Sequence, residues 1–178
     1  FFDRTKGRIS TFFGRGIVAH IAFAHPLCGD LSKVAADCAE SVGATVHRGG
    51  TYICMEGPAF STRAESLMYR GLGAAVIGMT NLTEAKLARE AELCYATLAL
   101  VTDYDVWHDT HEAVSVEGVI QNLLKNVATA KDVLRRVIPA IAGPRTCQCP
   151  SLLQSAVITS PRAFPPATRK KLGLLLDK

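Results

Sequence analysis

The sequence predicts an α/β layered domain, and three observations predict it. Apolar segments rich in β-branched residues alternate with segments of helical periodicity, two capping boxes mark helix starts, and glycine or proline punctuates the joins. In chain order, residues 16–24 (GIVAHIAFA) read as a strand. Leu31, Val34, Ala35, Cys38 and Val42 then recur at helical spacing and stop at Gly43, a C-cap position. Residues 45–56 form a second strand region, bent at Gly49-Gly50. Gly57-Pro58 turns the chain, and Thr62-x-x-Glu65 is a capping box whose helix runs through Leu67 and Met68 towards Gly71 and Gly73. Residues 74–79 (AAVIGM) read as a short buried strand. Asn81-x-x-Glu84 is the second capping box, opening a helix that ends near Glu92. Residues 94–101 (CYATLALV) read as a further buried strand. From Ser115 a long helix carries Val116, Val119, Ile120, Leu123, Leu124, Val127, Leu134 and Val137 on one stripe until Pro139 ends it. Beyond Ala142 proline and cysteine mark the chain, and PPATRKKLGLLLD reads as a short closing helix. The expected division is one domain over 1–142 with a tail, 143–178, packed on it.

The bulk numbers narrow the function classes. With 178 residues, 48% hydrophobic and 20% charged, the chain can build one domain with a real core. Its net charge of +4 is spread thinly apart from Arg169, Lys170 and Lys171, and no basic run is interleaved with aromatics, so a nucleic-acid partner is not expected. The apolar runs are strand-sized, too short for a membrane span, and nothing resembles a signal peptide. A cytoplasmic enzyme or binding protein is the expectation. The opening, FFDRTKGRISTFFG, reads as though the sequence starts mid-domain, so a piece of something longer is expected.

Of six cysteines, Cys28, Cys38, Cys54 and Cys94 sit singly in apolar patterns, as small buried hydrophobes do. Cys147-Gln-Cys149 could be a strained disulfide, a redox pair or half a metal site. With no second cysteine pair at ligand spacing, the expectation is a reduced pair packed at the surface, and no metal.

Ligands of open α/β sheets sit beyond the carboxyl ends of the strands. Three such ends carry unusual chemistry: EGPAFST after residues 45–56, MTN after AAVIG, and TDYD after residues 94–101. Together they suggest one pocket lined by Phe60, Met79, Thr80, Thr102, Asp103 and Asp105. Phe60 offers a flat apolar face and Met79 an adaptable one. Thr80 places a hydroxyl beside backbone N–H groups at a helix start, which favours an anion such as phosphate. Asp103 and Asp105, at i and i+2 of an extended backbone, share a side and disfavour each other's ionisation, so one is expected to hold a proton near neutrality. Such a pair can both donate to and accept from one ligand edge, and the N7/N6 edge of adenine is of that kind. Each residue also has a plain structural use: Phe60 as core, Met79 as filler, Thr80 as a helix start, the two acids as solvated ends of a strand.

The segments EGPAFSTRAES, GMTN and TDYDVW, in that order and spacing, resemble the S-methyl-5′-thioadenosine phosphorylase family, in the trimeric branch of the purine nucleoside phosphorylase superfamily. DRTKGRISTFF and RTCQCPSLLQSAVIT extend the likeness to essentially the whole chain. The resemblance implies a purine nucleoside phosphorylase-like α/β fold, a mixed central sheet flanked by helices, with the N-terminal part absent from this chain. It implies phosphate attack on the ribosyl C1′, releasing adenine and methylthioribose 1-phosphate, with inorganic phosphate as co-substrate and no cofactor.

In that reading Asp103 is the general acid or N7 partner. Asp105 assists at N6, or holds the loop and raises the proton affinity of Asp103. Phe60 stacks on the base, Ser61 and Thr102 line the base site, Met79 packs by the ribose, and Thr80 touches phosphate and ribose hydroxyls. Val116, Val119 and Ile120 match an apolar 5′-methylthio pocket, for which helix core is an equal alternative. His20 matches a histidine reaching a neighbouring subunit's site, which implies a homotrimer or a hexamer.

The resemblance also implies an upstream Gly-rich phosphate loop and an Arg-His pair that this chain does not contain, so the isolated chain is expected to have little or no activity. Alternatives are a 6-oxopurine nucleoside phosphorylase, disfavoured by Ser61 and Asp103; a metal-dependent nucleotide-sugar glycosyltransferase using Asp-x-Asp; and a catalytically dead binding fragment. His108-x-x-His111 has a metal-like spacing but reads as part of a polar loop over the sugar.

Overall fold

The computed structural model of the chain describes residues 1–108 and 116–177. Two compact units are present. The first comprises Phe1–Lys6, Lys33–Asn81 and Thr97–Pro144; the second comprises Gly7–Ser32, Leu82–Ala96 and Arg145–Lys178.

The first unit is built on a three-stranded parallel sheet of β1 (Phe2–Arg4), β2 (Thr51–Met55) and β3 (Ala74–Gly78), in that order. Phe2 lies beside Ile53, and Cys54 beside Gly78. Ile53 and Cys54 of the central strand are fully buried, as expected for a parallel strand covered on both faces. The bend before β2 needs glycine at Gly50: its φ is +107°, and a Cβ there would meet the Ala75 Cβ at 2.8 Å. β1 carries no sequence signal beyond one phenylalanine and was not foreseen.

Helix α1 (Gly29–Ser41) stops where expected, with Gly43 at φ +79° and its N–H on Glu40 O at 2.9 Å. Helix α2 (Arg63–Gly71) opens on the capping box read from the sequence. Thr62 Oγ1 accepts from Glu65 N at 3.2 Å, and Thr62 N donates to Glu65 Oε2 at 2.8 Å. The Thr62 N–H and hydroxyl, which both donate to Glu65 Oε2, hold the Glu65 carboxyl below its usual range. Thr62→Ala is therefore expected to lower stability by about 1 kcal/mol in urea denaturation at neutral pH. Because the folded pKa of Glu65 is depressed, its part is complete above the ordinary carboxylate pKa and lost as pH falls through the folded value. The gap between wild type and variant should narrow on acidification.

Asn81, expected to cap α3 (Leu82–Glu90), has φ +83° rather than an extended N-cap backbone, and its Oδ1 accepts from Thr97 Oγ1 at 2.9 Å. Helix α4 (Val116–Ala140) runs through the expected stripe with Pro139 in its last turn. Val133 and Val137 are buried, but Ile120, Leu123, Leu124, Val127 and Leu134 stand 40–60% exposed, so most of the stripe is not core. No described helix is long and apolar enough to cross a membrane.

In the second unit Phe13, Ile17, Leu153, Ala156 and Leu172 form a core, sealed by Phe164 and Leu176. The strand expected at 16–24 does not form. Gly14 and Ile17, and Ala19 and Val157, make single antiparallel bridges, while His20 N donates to Ala156 O at 2.8 Å. Its apolar residues serve packing against the 3-10 turn Cys149–Ser155, not a ladder. The tail closes with α5 (Pro166–Lys171) and α6 (Gly173–Leu176), two short helices where one was expected.

The strand expected at 94–101 is also absent. Leu98, Leu100 and Val101 are exposed, and the Val101 carbonyl accepts from Asn126 Nδ2 at 2.9 Å in place of a strand partner. The cysteine expectation needs correction too. Cys149 is buried rather than packed at the surface, and Cys28 and Cys94, far away in sequence, join it and Cys147 in one cluster.

Candidate functional site

The residues after β2 and β3 are drawn together by a glycine. Gly57 has φ +72°, and a Cβ on it would come within 2.5 Å of Met79 Sδ, so the loop leaving β2 lies directly on the loop leaving β3. Cys54 Sγ donates to Thr80 O at 3.1 Å, which fixes the backbone at the Met79-Thr80 turn from beneath. Ser61, half-buried, donates its hydroxyl to Met55 Sδ at 3.7 Å. Phe60 stands 82% exposed with its ring open, and Thr80 is exposed. An apolar face, a thioether and a free-standing hydroxyl thus share the carboxyl edge of the parallel sheet, where ligands of such sheets bind.

The acidic segment is held to the same unit by α2 and α4. Asn122 Nδ2 donates to Thr102 O at 2.8 Å, next to the Asn126 contact on Val101. The two acids then diverge. Asp103 is exposed, and its Oδ2 accepts from Thr102 Oγ1 at a long 3.4 Å. Asp105 is half-buried: Oδ2 accepts from Ser66 Oγ of α2 at 2.5 Å and Oδ1 from Val106 N at 2.9 Å. The Arg70 guanidinium, also from α2, lies 3.8 Å from the centre of the Trp107 ring, and Tyr104 stacks on His108. The expected pair of facing carboxylates is therefore one open acid and one anchor.

Phe60, Ser61, Met79, Thr80, Thr102, Asp103 and Asp105 all lie in the first unit, as do Val119, half-buried, and Ile120, 48% exposed. His20 is exposed and lies in the second unit. The Val116 side chain and His111 lie outside the described residues. Sequence reasoning missed Ser66, Arg70, Asn122 and Asn126. The two asparagines sit at i and i+4 of a long helix, one face of it, and that spacing was a usable signal; Ser66 gave none.

A profile of the phosphorylase superfamily matches residues 2–139. The chain is 54% identical to the S-methyl-5′-thioadenosine phosphorylase of Koribacter versatilis, covering all of this chain and 61% of that protein. It is 56% identical to the enzyme of the same name from Geobacter sulfurreducens, covering 99% and 62%. It superposes with a TM-score of 0.91 on a methylthioadenosine phosphorylase from an antarctic soil metagenomic library, at 45% identity and covering 98% and 62%. The Schistosoma mansoni methylthioadenosine phosphorylase in complex with adenine superposes at 0.79, with 28% identity, covering 88% and 64%. The chain spans about three fifths of the length of the curated relatives it matches.

Proposed function

We infer the reaction from one premise: the chain belongs to the phosphorylase superfamily. The full-length protein that carries it cleaves the N-glycosidic bond of S-methyl-5′-thioadenosine with inorganic phosphate, giving adenine and 5-methylthioribose 1-phosphate. The observation that carries this reading is the identity of 54–56% with phosphorylases of that name over 99–100% of the chain.

The chemistry asks for few groups. A phosphate oxygen bonds to C1′ as N9 leaves with the bonding pair, through an oxocarbenium-like state, and the departing purine takes up one proton. Asp103, open at the segment end, delivers that proton or a hydrogen bond at N7. Phe60 covers the base, with Ser61 and Thr102 at its edge. Met79 packs by the ribose, and Thr80 meets phosphate and ribose hydroxyls. Val116, Val119 and Ile120 of α4 take the methylthio end. Asp105, already engaged by Ser66, positions the segment. Superfamily membership sets the metal-dependent glycosyltransferase aside. Ser61 and Asp103, standing where the 6-oxopurine enzymes have glutamate and asparagine, select a 6-aminopurine.

The protein works in the cytoplasm as a homotrimer in which His20 serves a neighbouring subunit's site, and the exposed stripe on α4 supports a covered face in the assembly. Adenine release from methylthioadenosine should depend on added phosphate and exceed hypoxanthine release from inosine. Release without phosphate, or a preference for inosine, would defeat the assignment. Light scattering should give three chains per particle.

A further inference from the structure

The thiols of Cys28, Cys94, Cys147 and Cys149 all lie within 4.8 Å of one another, and each is free. They come from three separated stretches of the second unit: the turn before α1, the exit of α3, and the lead into the 3-10 turn Cys149–Ser155. A tetrahedral zinc with Zn–S bonds of about 2.3 Å sets its sulphurs about 3.8 Å apart. The Cys94 and Cys147 sulphurs are 3.3 Å apart here. The four sulphurs therefore bracket the required spacing, and shifts of well under an ångström would admit the ion.

We propose that Cys28, Cys94, Cys147 and Cys149 are the four ligands of a zinc ion in this protein. With four protein sulphurs the site has no open position, so its role is structural, clamping three chain segments of the second unit.

The surroundings are built for it. Arg145 Nη1 donates to Glu92 O at 3.0 Å and Thr146 Oγ1 to Asp30 Oδ2 at 2.8 Å, which ties the residues just before Cys147 to the neighbours of Cys94 and Cys28. Glu92 Oε1 accepts from Leu153 N at 2.8 Å, holding the turn that carries Cys149. Four thiolates around Zn²⁺ leave a net charge of −2, and Arg89 sits where it offsets that charge. Its Nη1 points at Cys149 Sγ at 3.8 Å, while its other nitrogens are fixed on His25 O at 2.6 Å and Ala22 O at 3.3 Å. Such outer hydrogen bonds orient and stabilise ligating sulphur. Zinc binding displaces the four thiol protons to solvent, with no change in oxidation state.

The test uses full-length protein purified under reducing conditions. Elemental analysis should find one zinc per chain, with the four thiols shielded from alkylation until a strong chelator removes the metal. Cobalt added to the stripped protein should give the thiolate-to-metal charge-transfer absorption of a tetrahedral sulphur site. Cys147→Ser should lower zinc content and abolish that absorption; if this variant fails to fold, the cobalt titration of the wild type decides alone. Four freely reactive thiols without metal, an intact mass lighter by four hydrogens from two disulfides, or cobalt bound without the charge-transfer band would each overturn the assignment.

Discussion

Asp103→Ala in the full-length protein is expected to lower kcat for methylthioadenosine by about 10²–10⁴-fold, the range that positioned general acids supply. The carboxylate is exposed, and the hydroxyl it accepts from, Thr102 Oγ1, is at 3.4 Å, so it is free to turn to a bound base. Losing an exposed side chain with so weak a contact should leave stability within about 0.5 kcal/mol. Asp103→Asn keeps the shape and a donor but cannot give up a proton. It should recover binding of adenine more than turnover, so that KM returns towards wild type while kcat stays low. Steady-state kinetics of adenine release, read beside urea denaturation of the same variants, separates chemistry from folding. Wild-type kcat in the alanine variant would remove Asp103 from the reaction.

The parts of this architecture that were legible share a local cause. The start of α2 was readable because Thr62 and Glu65 satisfy each other's backbone within one turn. The end of α1 was readable because Gly43 adopts a left-handed backbone that other residues resist. β3 was readable as a short apolar run that ends on the Met79-Thr80 turn. What failed depended on partners distant in sequence. Residues 16–24 and 94–101 have strand composition, but composition does not supply a neighbouring ladder; the first packs on the tail and the second hands its Val101 carbonyl to Asn126 of α4. The cysteine cluster was hidden for the same reason. Cys28 and Cys94 each look like an ordinary small core residue until folding carries them to Cys147 and Cys149. At the candidate site, Phe60, Met79, Thr80, Thr102, Asp103 and Asp105 stood out as polar or adaptable residues at strand ends, and Ser61, Val116, Val119, Ile120 and His20 entered only through the family resemblance. The division of labour between the acids needed Ser66, which no pattern marks.

That division yields the second large effect. Asp105→Ala should lower stability by about 1.5–3 kcal/mol, the scale of a hydrogen bond to a charged group, because Ser66 is buried and its hydroxyl loses this acceptor. Ser66→Ala should cost less, since Asp105 is only half-buried and retains Val106 N. A double-mutant cycle should show coupling of about 0.5–3 kcal/mol between the two, as for residues in direct contact. The kinetic signature must differ from that of Asp103. Asp105→Asn keeps an oxygen for Ser66 and should hold kcat within about tenfold, because an anchor needs only to accept while an acid must release a proton. Asp105→Ala, with the segment loosened, should raise KM and lower kcat together, as a misplaced catalytic group does. Asp105→Asn matching the kcat loss of Asp103→Asn at undiminished stability would make Asp105 an acid in its own right. Absence of coupling to Ser66 would remove its anchoring role.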